Sequence, residues 1–82
     1  MTAVDVRLEE QLRALIGQAG RAGVDPDDAA RRVDPQRAQE LHEPARRAAR
    51  RLVAAEEAEM VQGGRVVDPS TARGPVRVRA RR

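Results

Sequence analysis

The sequence predicts a mainly helical domain of the α+β class. Apolar residues recur with helical spacing in the first half of the chain, two Asp-Pro pairs mark helix starts, and a Gly-Gly pair separates two β-prone runs nearer the C-terminus. At 82 residues the chain has the length of one domain, which we place over residues 1–82. It holds no Phe, Tyr or Trp, so its core must come from 18 large aliphatic residues and 15 alanines.

Two helices are predicted in the first half. Apolar residues at three- and four-residue steps form one face of a helix over about residues 4–19. The Asp-Pro pair at 25–26 predicts a second, short helix that ends near Val33, because Asp caps free backbone N–H groups and Pro suits the first helical position. A second Asp-Pro pair, at 34–35, predicts a further helical segment toward Glu43.

A third helix is expected over about residues 44–57. Pro44 interrupts the preceding pattern, and the sequence leaves open whether it kinks one long helix or separates two. At about 100° per residue, four arginines fall opposite an apolar stripe, so the helix buries one side and presents four cations on the other. The arginines are Arg46, Arg47, Arg50 and Arg51, and the stripe consists of Ala45, Ala48, Ala49, Leu52 and Val53.

A β-hairpin is predicted after residue 57, where apolar and polar residues begin to alternate. Gly63 and Gly64 separate the runs 58–62 and 65–68, and a type I′ turn needs positive φ at both of its central positions. This register pairs Met60 with Val67 and Val61 with Val66.

A last strand begins near Val76, where valines alternate with Arg77 and Arg79 to give one basic face, and residues 80–82 are expected to be a disordered tail. The predicted order is helix, short helix, interrupted helix and hairpin. This is the layout of a winged helix, in which a helix-turn-helix unit is followed by a β-hairpin wing.

The charge distribution predicts an anionic partner for the C-terminal half. Residues 1–45 hold six arginines and nine carboxylates, whereas residues 46–82 hold ten arginines and four carboxylates. We therefore expect a DNA-binding domain whose third helix enters the major groove while the wing and last strand reach flanking phosphates. The candidate contacts are Arg46, Arg47, Arg50, Arg51, Arg65, Arg77 and Arg79.

Two other interpretations of the function remain open. The fold suits a protein-interaction or dimerisation module equally well, because fold does not dictate function. The arginine-rich C-terminus also suits contact with structured RNA. The amphipathic third helix is, in the simplest view, an ordinary helix with a charged solvent face.

The residues present give no sign of a catalytic centre, a metal site or a cofactor. The chain has no Cys and a single His, and Ser70 and Thr71 have no histidine base nearby in the sequence. No small-molecule substrate is evident. The N-terminus lacks the basic and apolar segments of a signal peptide, and no apolar run is long enough for a membrane span, so we expect a cytoplasmic protein.

The C-terminal half resembles a small bacterial family of uncharacterised winged-helix-like domains. The resemblance runs from about Arg47 to Arg79 and is strongest in the stretch Gly-Arg-Val-Val-Asp-Pro-x-Thr-Ala-Arg-Gly-Pro, residues 64–75. The resemblance implies a winged-helix-like fold but does not imply any particular activity. We interpret the motif as turn chemistry, in which Asp68 and Thr71 bond the local backbone, Gly74 takes positive φ and Arg73 ties the turn down. The turn positions are Gly63, Gly64, Asp68, Pro69, Thr71, Arg73 and Gly74.

Overall fold

A computed structural model describes residues 1–81 and contains, in that part of the chain, three α-helices and one three-stranded antiparallel sheet. The α+β prediction is confirmed. The helices are α1 (Ala3–Ala19), α2 (Pro26–Val33) and α3 (His42–Ala54), and the strands are β1 (Ala58–Gln62), β2 (Arg65–Val66) and β3 (Arg77–Ala80). Short 3₁₀ turns, Gly20–Ala22 and Ala38–Leu41, follow the first two helices.

The first two helices begin where local chemistry favours a helix start. Thr2 caps α1 in a capping box, because its Oγ1 accepts the Asp5 backbone N–H at 3.1 Å while Asp5 accepts the Thr2 N–H at 2.9 Å. Asp25 caps α2 by accepting the Asp27 N–H at 2.9 Å, and Pro26 occupies the first helical position. The predicted bounds of α2 are confirmed.

The region around Pro44 differs from the prediction. The segment after the second Asp-Pro pair forms a turn and the short 3₁₀ turn Ala38–Leu41, without the longer helix expected there. Helix α3 then begins at His42, so Pro44 neither kinks a helix nor separates two. It lies in the first turn of α3, where backbone N–H groups have no partner within the helix and proline removes nothing.

Helix α3 also ends three residues before the predicted limit. Glu56 has a φ of 64°, the left-handed conformation that closes a helix. Its N–H bonds the Val53 carbonyl at 3.0 Å, and the Glu57 N–H bonds the Leu52 carbonyl at 2.9 Å. These two bonds form a Schellman motif, which turns the chain into β1.

The sheet has the order β2-β1-β3, with β1 in the centre. The predicted hairpin register is confirmed: Val61 pairs with Val66, and the Val67 N–H bonds the Met60 carbonyl at 2.9 Å. Gly63 and Gly64 have φ values of 58° and 80°, as a type I′ turn requires. An isolated antiparallel bridge joins Val24, between α1 and α2, to Val78 of β3.

The C-terminal strand extends further than the sequence suggested. Ala80 was placed in a disordered tail, but it pairs with Ala58, and the Arg81 N–H bonds the Glu57 carbonyl at 3.3 Å. The pairing of β3 continues up to Ala80, in a segment where buried valines alternate with other residues. Residue 82, which belongs to the same predicted tail, lies outside the described residues.

The core is aliphatic and rich in alanine, as the absence of aromatic residues requires. It lies where the three helices meet one face of the sheet, and the small alanine side chains allow α3 to pack closely against α1 and α2. Its largest fully buried side chains are Leu8, Leu12, Leu52, Met60, Val78 and Pro26. Within residues 1–81, no helix is long and apolar enough to cross a membrane.

Candidate nucleic-acid interface

A groove of about 680 Å³ lies between the N-terminal half of α3, the start of α2 and the loop before β3. It brings two of the four predicted arginines of α3, Arg46 and Arg50, to the same surface as part of the predicted turn motif. From the helices the lining residues are Asp25, Asp27, His42, Glu43, Arg46 and Arg50, and from the loop they are Pro69, Ser70, Ala72, Arg73, Gly74, Pro75 and Val76.

The four arginines of α3 do not form one outward-facing cluster. Arg47 is exposed, whereas Arg50 is half-buried and lines the groove, and the two share the carboxylate of Glu43 at 3.9 Å and 2.6 Å. The hydrogen bond from Arg50 lowers the pKa of Glu43 below its usual value, with further help from the charges of Arg47 and Arg46. Two cations thus share one anion, which leaves this end of the helix with an excess positive charge.

Arg46 binds the neighbouring loop. Its Nη1 donates to the Gly74 carbonyl at 3.0 Å, and its Nη2 donates to the Ala72 carbonyl at 3.5 Å. The predicted role of Arg46 as an outward cation is therefore corrected: this guanidinium joins α3 to the loop.

Arg51 points to the other side of α3, toward α1. Its Nε donates to a carboxylate oxygen of Glu9, a residue buried on α1, and its Nη2 lies 4.0 Å from Asp5. Only 32% of the Arg51 side chain and 12% of the Glu9 side chain are exposed, which makes this a half-buried ion pair. The prediction that Arg51 faces a partner is wrong in this structure, since the pair joins two helices.

The basic face predicted for β3 is also bound within the protein. Arg77 donates to the carbonyls of Ala22 and Gly23 at 2.9 Å and 2.8 Å, and Arg79 donates to Glu59 at 2.6 Å. Those contacts connect β3 to the turn after α1 and to β1. Arg65, beside the Gly-Gly turn, is exposed, and its side chain has no hydrogen bond or ion pair within residues 1–81.

The turn motif is ordered by Asp68, as predicted. Its Oδ1 accepts the Ser70 N–H at 2.9 Å and the Ser70 hydroxyl at 2.7 Å, which together lower the pKa of Asp68. Thr71 donates its hydroxyl to the Asp68 carbonyl at 3.4 Å, and Gly74 has a φ of 79°. Pro69 lies within the same turn.

The side chain of Arg73 does not stabilise the turn through a hydrogen bond, contrary to the prediction. Arg73 is one of the residues that line the groove, and its guanidinium has no hydrogen bond or ion pair within residues 1–81, while its backbone carbonyl accepts a bond from Gln62. Gln62 is the residue of this site that the sequence did not reveal. In the sequence, Gln62 is an ordinary hairpin residue. None of its sequence neighbours indicates that its side-chain amide binds a loop eleven positions away.

His42 links α3 to α2 at the edge of the groove, with its Nδ1 at 2.8 Å from the Asp27 carboxylate. No group of three or more His, Asp or Glu side chains in residues 1–81 is placed to hold a metal ion. The contact of His42 is thus a structural link between the starts of two helices.

Comparison with known protein families shows which family the chain belongs to. It belongs to the family described as "Protein of unknown function (DUF3253)", which matches residues 5–81. The match covers both the helices and the sheet, so the whole described fold is a DUF3253 domain. No curated protein matches the chain.

Proposed function

We propose that this DUF3253 domain is a winged helix that binds duplex DNA through the outer face of α3 and the loop beside it. The observation that carries the proposal is that Arg50 lines a groove beside a loop that Arg46 holds against α3, while the exposed Arg47 shares Glu43 with Arg50 on the same helix. A winged helix makes this type of paired contact, with a helix in the major groove and the wing near flanking phosphates.

The order of the elements supports the proposal. Val24, between α1 and α2, bridges to β3, and β3 pairs with β1 across a long connection, residues 63–76. Helices α2 and α3 followed by such a connection favour the interpretation as a helix-turn-helix unit and a wing. From here on, we extend the term wing from the predicted hairpin to the whole connection, residues 63–76.

The charges at the groove favour a phosphate-bearing partner. Each carboxylate of the groove has a partner within the protein: Asp25 accepts the Asp27 N–H, Asp27 contacts His42, and Glu43 accepts from Arg50. By contrast, Arg73 of the groove is unpaired within residues 1–81; outside the groove, Arg65 is also unpaired there, and Arg47 contacts a carboxylate only at 3.9 Å. Duplex phosphates would satisfy these donors.

The proposal predicts that duplex binding becomes less dependent on salt when Arg47 and Arg50 are both replaced by alanine. Each phosphate contact contributes roughly 0.9 to the slope of log affinity against log salt, so two lost contacts lower the slope by about 1.8. Fluorescence anisotropy of a labelled duplex, titrated at several salt concentrations, measures the slope. Arg46 and Arg51 are left unchanged because both bind inside the protein.

The matched control replaces Arg7 and Arg37, which lie on another surface beside Val33 and Leu41 and line no part of the groove. This variant changes the net charge equally and should keep most of the wild-type slope. If the two double variants behave alike, α3 is not the contact surface. Failure of the wild type to bind duplex, together with salt-insensitive self-association in light scattering, would instead favour a dimerisation module.

A second prediction concerns Glu43, which competes with phosphate for Arg47 and Arg50. Glu43→Gln removes this competitor and is expected to tighten duplex binding about three- to tenfold at low salt, because it removes a negative charge that repels phosphate. Glu40→Gln is the control, because Glu40 is exposed and pairs with Arg37 away from the groove. Equal effects of the two variants would show that only net charge matters.

A further inference from the structure

The backbone of residues 72–75 is held from both sides by side chains. Arg46 donates to the carbonyls of Ala72 and Gly74, and Gln62 donates to the carbonyls of Arg73 and Pro75. Four consecutive carbonyls are thus bound alternately by a residue of α3 and a residue of β1. Loops are normally the mobile parts of a domain, so this degree of restraint is unusual for a connection on the surface.

The one charged side chain on this restrained segment is Arg73. Arg73 is exposed and lines the groove together with Arg50 of α3, and its side chain has no hydrogen bond or ion pair in residues 1–81. An arginine with a fixed backbone and a free head group loses less conformational entropy on binding than one on a mobile loop. The arrangement therefore favours contact between Arg73 and an anion that lies along the groove.

We propose that Arg73 is the phosphate-contacting residue of the wing, and that Arg46 and Gln62 are positioning residues that hold it beside α3. This inference rests on the proposed DNA-binding function and adds to it a contact, Arg73, that the turn motif alone does not indicate. Gln62 acts only through the loop, since its amide donates to carbonyls of residues 73 and 75 and it carries no charge for phosphate.

The test is a salt-series anisotropy titration of Arg73→Ala and Arg73→Lys with the same labelled duplex. Loss of one phosphate contact lowers the salt slope by roughly 0.9 in Arg73→Ala, whereas Arg73→Lys keeps most of the slope because it keeps the charge. Arg37→Ala, at a residue that lines no part of the groove, serves as the charge-matched control. Urea unfolding of each variant confirms that binding is measured on folded protein.

The positioning role is tested by a double-mutant cycle. Gln62→Ala leaves the charge unchanged and is expected to weaken binding about two- to tenfold in the wild-type background, with much less effect in the Arg73→Ala background, because coupled residues are not additive. A merely structural role for Gln62 would give the same loss in both backgrounds and overturn the positioning role.

The remaining outcomes separate the two proposals. Wild-type binding that depends on Arg47 and Arg50 but is unchanged in Arg73→Ala overturns the role of Arg73 and leaves the proposed function intact. No duplex binding by the wild type at low salt overturns both.

Discussion

Replacing Gly23 with alanine is expected to lower the free energy of unfolding by about 2–4 kcal/mol. Gly23 has φ 72° and ψ −176°, a conformation that only glycine adopts readily. A Cβ at this position would lie 2.7 Å from the backbone oxygen of Val78, which accepts the Val24 N–H in the bridge to β3. The clash is with backbone, so the bridge itself must move.

The size of this effect matters because a core of this kind supplies only roughly 3–5 kcal/mol. Urea unfolding followed by circular dichroism measures the change. Gly17→Ala is the matched control, since Gly17 lies within α1 with open space around it, and alanine there should stabilise the helix by about 0.5–1 kcal/mol. Similar midpoints for both variants would mean that the backbone approach at Gly23 contributes nothing.

The ion pair between Glu9 and Arg51 is expected to have the second large effect. Glu9→Ala leaves the half-buried guanidinium of Arg51 without its close carboxylate, and we expect the free energy of unfolding to fall by about 1.5–3 kcal/mol. Glu10→Ala is the control, because Glu10 is the exposed neighbour on the same helix and undergoes the same change in helix propensity.

Replacing both partners separates charge from packing. The double variant Glu9→Leu, Arg51→Met should recover much of the lost stability, since an apolar pair replaces the half-buried guanidinium that Glu9→Ala leaves without its close carboxylate. Urea unfolding of Glu9→Leu, Arg51→Met and the double variant provides the cycle. If Glu9→Ala and Glu10→Ala have equal stability, the pair does not hold the two helices together.

The sequence predicted the local elements well where short-range chemistry decides them. The Asp-Pro start and the bounds of α2 follow from capping, and the Gly63-Gly64 turn sets the hairpin register through its positive φ values. The prediction of a longer helical segment before residue 43 was wrong, for a reason that is also local. A helix start at His42 places Pro44 where proline is harmless, and periodicity alone does not reveal this start.

The candidate site was predicted less well, because long arginine side chains choose partners that are distant in sequence. Of the four α3 arginines, Arg47 and Arg50 share Glu43 of their own helix, Arg46 reaches a carbonyl 28 positions away and Arg51 reaches a carboxylate 42 positions away. Helical projection gives the direction of a Cβ atom but says nothing about what lies beside it.

By itself, then, the sequence determined an aliphatic α+β domain, the start of α2, the diglycine hairpin and the excess of positive charge in the C-terminal half. Only the tertiary structure decided which arginines are free, that β1 lies between β2 and β3, and that Gln62 holds the wing. The physical reason is range: caps and turns depend on residues within a few positions, whereas hydrogen-bond partners for guanidinium and amide groups are set by the packing of the whole chain.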